Sequence, residues 1–256
     1  MTAIDTVTVA SLNLHQGVSS SGTPFDAATA VCQLDAAVIC VQEDWQPAGP
    51  DRDGCGPAEP RRHIAERNDR RPDVTSQLAG AAAKLNMSVH REMMCVWPAG
   101  ELAIAVLTAL PVAEYEVVEL GTAPGDTIPR LAQVVLLALP AGRHLRLVNT
   151  HLTHRFTSPV QLLRLQRRLR RRLHQEPPTV IAGDLNMPRT IAAAWPGYAD
   201  LVRGCTFPAQ RPLIQLDHIL AGRGIQGSNG RVLPSAGSDH LPIRAEIRLR
   251  GGRRPG

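Results

Sequence analysis

The 256 residues are enough to bury a large core and few enough to form one sandwich or α/β domain. Aromatic residues make up only 3% of the chain, which counts against a surface that reads single-stranded bases by stacking. The formal charge of +5 is almost all arginine, with Lys84 the only lysine, and it suits an anionic partner (nucleic acid, a lipid headgroup or a phosphorylated metabolite) without choosing among them.

Short apolar, β-branched runs recur from end to end: Thr6–Leu12, Ala36–Val41, Leu102–Leu107, Leu131–Leu139, Leu145–Val148, Thr179–Ala182, Leu216–Leu220 and Ile243–Ile247. Each reads as a strand bounded by Gly, Pro, Asn or Asp. Helical spacing appears between them at Asp26–Leu34, Val74–Leu85 and Pro159–Leu173. Strands outnumber helices and often follow one another directly. The expected fold is therefore α/β in the α+β sense, with packed sheets inside and helices outside. Gln46–Pro72 is rich in Pro, Gly, Asp and Arg and reads as a long surface loop or a disordered insertion. Residues 251–256 read as a flexible tail after one domain over 1–250.

Cys32, Cys40, Cys55, Cys95 and Cys205 are odd in number, scattered and never form a Cys-x-x-Cys pair. They read as reduced thiols rather than a disulfide framework or a zinc site. The N-terminal residues lack a signal-peptide pattern, and no apolar run is long enough to span a bilayer. A soluble, cytoplasmic monomer without stable membrane insertion is expected.

Most of the strand candidates end on polar residues that core packing does not require. The endings are Asn13-Leu14-His15-Gln16-Gly17, Gln42-Glu43-Asp44, Asn149-Thr150-His151-Leu152, Gly183-Asp184-Leu185-Asn186, Asp217-His218 and Ser238-Asp239-His240. One such ending is an ordinary turn; six in succession are the inventory of one site on a rigid scaffold. Mg²⁺ prefers hard oxygen ligands and keeps several waters, a description met by Glu43, Asp239 and the Asn13 amide oxygen. Asp184 and Asn186, two apart on an extended segment, would share a side. There the carboxylate can deprotonate a water while the amide holds a phosphate oxygen. Asp217 and His240 suit a carboxylate–imidazole pair that keeps the ring cationic. His151 could stabilise phosphate charge or protonate the leaving oxygen, with Glu101 as its orienting carboxylate.

In order and approximate spacing this motif set resembles the endonuclease/exonuclease/phosphatase superfamily, over nearly the whole chain. The first motif, NLHQG, is similar to the NIHHG of a broad bacterial subgroup rather than to the DNA-repair branch. The resemblance implies a four-layer α/β/β/α sandwich, built on two packed, mostly antiparallel sheets flanked by helices. It also implies Mg²⁺ or Mn²⁺ at one rim, with water attacking a phosphodiester or phosphomonoester in line. Glu43 and Asp239 would hold the metal with Asn13 nearby, and Asp184 and Asn186 would place nucleophile and phosphate. Asp217 would pair with His240, and His151 would take the place of the family's first catalytic histidine.

Two rival functions share this scaffold. One is a catalytically silent protein that holds an anion or a partner, which is disfavoured because Glu43, Asp184, Asn186, Asp239 and His240 are all retained. The other is the same machinery reused on an unusual substrate in a specialised pathway. Pro159–Leu173 pairs an apolar stripe with a basic face, read as solvated in preference to a phosphate-backbone or anionic-membrane contact. His218, alternating with Asp217, is expected to pack, whereas His15 falls on the side of Asn13.

Overall fold

The computed structural model describes residues 6–48, 77–154, 157–170 and 177–250. Within them the chain forms β1 (Thr6–Asn13), α1 (Ala27–Cys32), β2 (Val38–Pro47), α2 (Gln77–Leu85), β3 (Ser88–Trp97), β4 (Gly100–Thr108), β5 (Val112–Gly121) and β6 (Arg130–Leu139). It continues through β7 (Arg143–Thr150), α3 (Ser158–Arg170), β8 (Thr179–Asp184), α4 (Arg189–Ala192), β9 (Tyr198–Asp200), β10 (Asp217–Gly222), β11 (Ile225–Val232) and β12 (Ile243–Leu249).

The strands make two six-stranded sheets, ordered β11-β12-β1-β2-β4-β3 and β5-β6-β7-β8-β10-β9. Both follow one plan. A central parallel pair, β1–β2 or β7–β8, is joined by a crossover that carries α1 or α3, and antiparallel strands extend the sheet on either side. Parallel neighbours need such a crossover, because the chain must return to the same end before pairing again.

Alternation of side chains sets the layers. In β1, Val7 and Val9 join Ile219 and Ala221 of β10 in the core between the sheets. Ala10 and Leu12 face the other way, against Ala27 and Val31 of α1 and Leu78 of α2. In β8, Val180 and Ala182 point into the same inter-sheet core, while Ile181 meets Leu162 and Leu165 of α3. The result is a four-layer α/β/β/α sandwich, in which each fully buried Leu, Ile or Val contributes about 1.5–3 kcal/mol. A buried polar seam ties the two sheets together. Gln42 Nε2 donates to Asn149 Oδ1 (2.7 Å), and Asn149 Nδ2 donates to Gln133 Oε1 and to the Ala105 carbonyl (both 2.9 Å).

Every strand expected from the sequence is present, but β3, β5, β9 and β11 were not anticipated. They are the four sheet edges. Edge strands face solvent along one side and carry mixed side chains, so they present no continuous apolar run. β2 also runs on through Gln46 and Pro47, two residues assigned to a loop by the sequence reading. Residues 49–72 of that loop, the first residues of the expected Val74–Leu85 helix, the end of the Pro159–Leu173 helix and the 251–256 tail lie outside the described residues. No helix among the described residues is long and apolar enough to cross a membrane.

Candidate active site

The eight residues singled out as site members come together at one end of the sandwich, and Asp184 is their hub. It ends β8 directly after Gly183, whose φ is +142°. A Cβ at Gly183 would lie 2.0 Å from the Thr150 carbonyl oxygen, so only glycine lets β8 approach β7 this closely. Asp184 Oδ2 accepts from Asn13 Nδ2 (3.1 Å) and lies 3.6 Å from His151 Nε2 and 3.7 Å from His240 Nε2. Asp184 Oδ1 accepts from the Asn186 backbone N–H (2.9 Å). Burial is the largest influence on this carboxyl and, with the Asp217 charge, pushes it up to about 7 against the opposing pull of His240.

His240 Nδ1 donates to Asp217 Oδ2 at 2.8 Å, as the expected pair requires. Ser238 Oγ accepts from the His240 backbone N–H (3.2 Å), and the Phe207 ring sits 4.9 Å away, centroid to centroid. Burial by itself would lower the imidazole, but the charges of Asp217 and Asp184 and the Asp217 hydrogen bond raise it to about 10. The ring is cationic at neutral pH.

Asn13 departs from its expected role. The His15 backbone N–H can only donate, so the Asn13 side-chain atom 2.9 Å from it is the oxygen. The amide NH₂ therefore faces the carboxylates, donating to Glu43 Oε1 (3.3 Å) as well as to Asp184. Asn13 bridges the two acids through its NH₂ instead of offering its oxygen toward them. His15 Nδ1 reaches the Val18 carbonyl at 3.0 Å and lies 3.6 Å from Asp239 Oδ1, beside the site as anticipated.

Asn186 is not on an extended segment, since its φ is +49°. Its amide donates to the Leu152 carbonyl (2.9 Å), which orients it, and its nitrogen then meets His151 Nε2 at 3.3 Å. That contact needs a lone pair on Nε2, so the His151 proton sits on Nδ1. The expected phosphate-facing amide is thus engaged in orienting a histidine. Nδ1 is buried without a hydrogen-bond partner, 3.8 Å from Glu43 Oε1. Glu101, the carboxylate expected to orient His151, instead accepts from Arg91 Nη1 at 3.3 Å. Burial, with the positive charges of Arg130 and His240 adding to it, holds the His151 imidazole well below its usual value. A neutral ring favours hydrogen bonding to phosphate over delivery of a proton.

Glu43 lies inside β2, where the pairing with β4 shifts register between Val41 and Asp44, and its φ is +54°. A left-handed conformation in a non-glycine residue costs about 1–2 kcal/mol, a strain that aims this side chain at the rim. Glu43 and Asp239 are its least buried carboxylates, with side chains 17% and 13% exposed against 1% for Asp184 and Asp217. Asp184, Asp217 and His240 also bring one donor atom each within 4.8 Å of one another. That set is closed by the Asp217–His240 hydrogen bond and is shielded from water. The hard oxygens of Glu43 and Asp239, open to water, fit Mg²⁺ or Mn²⁺ better.

Several supporting contacts are visible only in the structure, and the buried, satisfied His218 packs as expected. Ser238 Oγ donates to the Asn13 carbonyl (2.7 Å) and so binds the last motif to the first. His218, fully buried, reaches Asp200 through Nδ1 (2.9 Å) and the Met187 carbonyl through Nε2 (2.8 Å), bracing the backbone beside Asn186. Ser158, at the start of α3, donates to the Asn186 carbonyl (3.4 Å), so this helix begins at the rim. The available signal was polar residues inside apolar runs, which marks Ser11, Gln42, Gln133 and Asn149 as well.

The family model "Endonuclease/Exonuclease/phosphatase family" matches residues 11–240. Among solved structures, an endonuclease/exonuclease/phosphatase from Beutenbergia cavernae superposes with a TM-score of 0.70 at 20% identity, over 96% of this chain and 72% of that one. One from Bacteroides vulgatus gives 0.69 at 18% identity, over 96% and 99%. ANGEL2, described as a 2',3'-cyclic phosphatase in complex with adenosine-2',3'-vanadate, gives 0.66 at 14% identity, over 98% and 97%. No curated protein sequence matches. With its motifs in order at one rim of the sandwich and the family model spanning nearly all of it, the chain belongs to the endonuclease/exonuclease/phosphatase family.

Proposed function

We propose that this chain hydrolyses phosphoester bonds with the help of a bound divalent cation, Mg²⁺ or Mn²⁺, by in-line attack of water. The observation that carries the reading is the setting of Asp184. Its buried carboxyl is raised to about 7 and held by Asn13 and the Asn186 N–H, with a cationic His240 on one side and a neutral His151 on the other. A general base works best when its pKa lies near the operating pH, which suits Asp184 to take the proton from the attacking water. His240, kept charged by Asp217, directs Nε2–H toward a phosphoryl oxygen. His151 offers Nδ1–H to the same group. Glu43 and Asp239 would hold the cation, which when bound supplies Lewis-acid stabilisation of phosphoryl charge. Similarity to a 2',3'-cyclic phosphatase supports a phosphoester substrate and leaves nucleic acid, lipid headgroup and soluble metabolite as candidates.

Hydrolysis of an aryl phosphodiester in Mg²⁺ or Mn²⁺ tests the reading. Activity should vanish in EDTA, return with added metal and be lost in Asp184→Ala. Turnover that survives both EDTA and that substitution sinks it.

A further inference from the structure

The exposed large apolar side chains among the described residues are Val160 (49%), Leu163 (39%), Ile191 (42%) and Leu213 (70%), and all lie on three neighbouring segments. Val160 and Leu163 belong to α3, Ile191 to α4, and Leu213 to the loop that leads into β10. These segments adjoin one another. Gln166 of α3 donates to the Pro196 carbonyl just beyond α4 (3.2 Å). Residues around α4 and the loop line a shared cavity of about 250 Å³, with Pro188 and Arg189 on one side and Leu213 and Ile214 on the other.

Exposed charge within these three segments has one sign. Arg164, Arg167, Arg168, Arg170, Arg203 and Arg211 are exposed. The one carboxylate within 157–170 and 185–216 is Asp200, whose side chain is fully buried against His218. On α3, Val160, Leu163, Arg164 and Arg167 recur at the spacing of a single crest, opposite the buried Leu162, Leu165 and Leu169. The crest is therefore aliphatic near the rim and basic further along.

A phosphate backbone would use the arginines but gain nothing from protruding leucines, and no aromatic residue of these segments is exposed to stack on a base. The headgroup boundary of an anionic bilayer uses both features. Aliphatic side chains enter the boundary while arginines pair with lipid phosphates. We propose that this face docks peripherally on an anionic membrane surface. Ser158 at the start of α3 contacts the Asn186 carbonyl, so docking would set the rim of the site beside the headgroups. Docking does not require the site to hydrolyse anything, so the two readings fail independently.

Sedimentation of the full chain with vesicles tests the docking. Equal parts phosphatidylcholine and phosphatidylglycerol should carry the protein down, and phosphatidylcholine alone should not. The pair Leu163→Asp with Leu213→Asp should weaken binding by about tenfold or more, while keeping the wild-type melting temperature and the wild-type rate on a soluble aryl phosphodiester. Absence of binding to the anionic vesicles overturns the proposal. So does vesicle binding that the folded double variant retains in full, or duplex DNA that competes the protein off the vesicles and binds wild type and double variant alike.

Discussion

β1 and β2 deliver Asn13 and Glu43 to the site, whereas β7 and β8 deliver His151 and Asp184, although both pairs share one parallel crossover topology. Asn13 is buried, but the carboxylates on this side are the more open ones. Glu43, and Asp239 tied to it through Ser238 and Asn13, keep side-chain exposures of 17% and 13%. The second half is closed, at 7% for His151 and 1% for Asp184. Openness would leave carboxylate oxygens for the hard cation of the proposed mechanism. Closure shifts proton equilibria, raising Asp184 and lowering His151. On the proposed reading, one scaffold plan, used twice, would separate cation binding from proton transfer by degree of burial.

The largest effect expected from breaking that division is on Asp184. Asp184→Asn should lower kcat by about 10²–10⁴-fold while leaving the melting temperature unchanged or higher, because the neutral amide removes a buried charge. Activity above a tenth of wild type would contradict its role as base.

Next comes the closeness of β7 and β8. Gly183→Ala places a Cβ against the Thr150 carbonyl at a positive φ, and should cost about 3 kcal/mol in denaturant unfolding. Gly80 in α2 has nothing within 4 Å of the equivalent position. Alanine there should stabilise by about 0.5–1 kcal/mol. Equal effects at the two glycines would remove the steric reading of the hub.

Protonation gives a finer test. In the metal-free protein the His240 ring should titrate near 10 by NMR and fall back toward 6.5 in Asp217→Asn. Its folded value is the raised one, so its stabilisation is complete below pH 6.5 and is lost as the pH climbs through about 10. Asp184, raised from 3.8 to about 7, adds no cost below 3.8 and its full penalty above about 7. Both shifts make the metal-free protein less stable as pH rises through their windows. A stability that instead increases across them would show that the buried pairs are not coupled as described.

What the sequence revealed, and what it hid, follows the same contrast between buried and open. Central strands such as β8 are enclosed on both faces and read as unbroken apolar runs, so each was legible, as were the polar residues that follow them. Edge strands were not: β11 reads IQGSNGRV and has only Ile225 buried. Side-chain roles within the site were legible where two groups pair directly, as Asp217 with His240. They were hidden where the backbone decides. The left-handed φ of Asn186 turns its amide onto Leu152 and His151, and the His15 N–H turns Asn13 around. Neither contact leaves a mark in residue spacing.

The most direct test of the division between halves is a calorimetric titration of Mn²⁺ into wild type, Glu43→Gln and Asp184→Asn. The expected result is binding to wild type, retention in Asp184→Asn within a few-fold, and a loss of about tenfold or more in Glu43→Gln. The reverse pattern, with Asp184→Asn losing the ion and Glu43→Gln keeping it, would place the metal on the Asp184, Asp217 and His240 side and contradict the assignment.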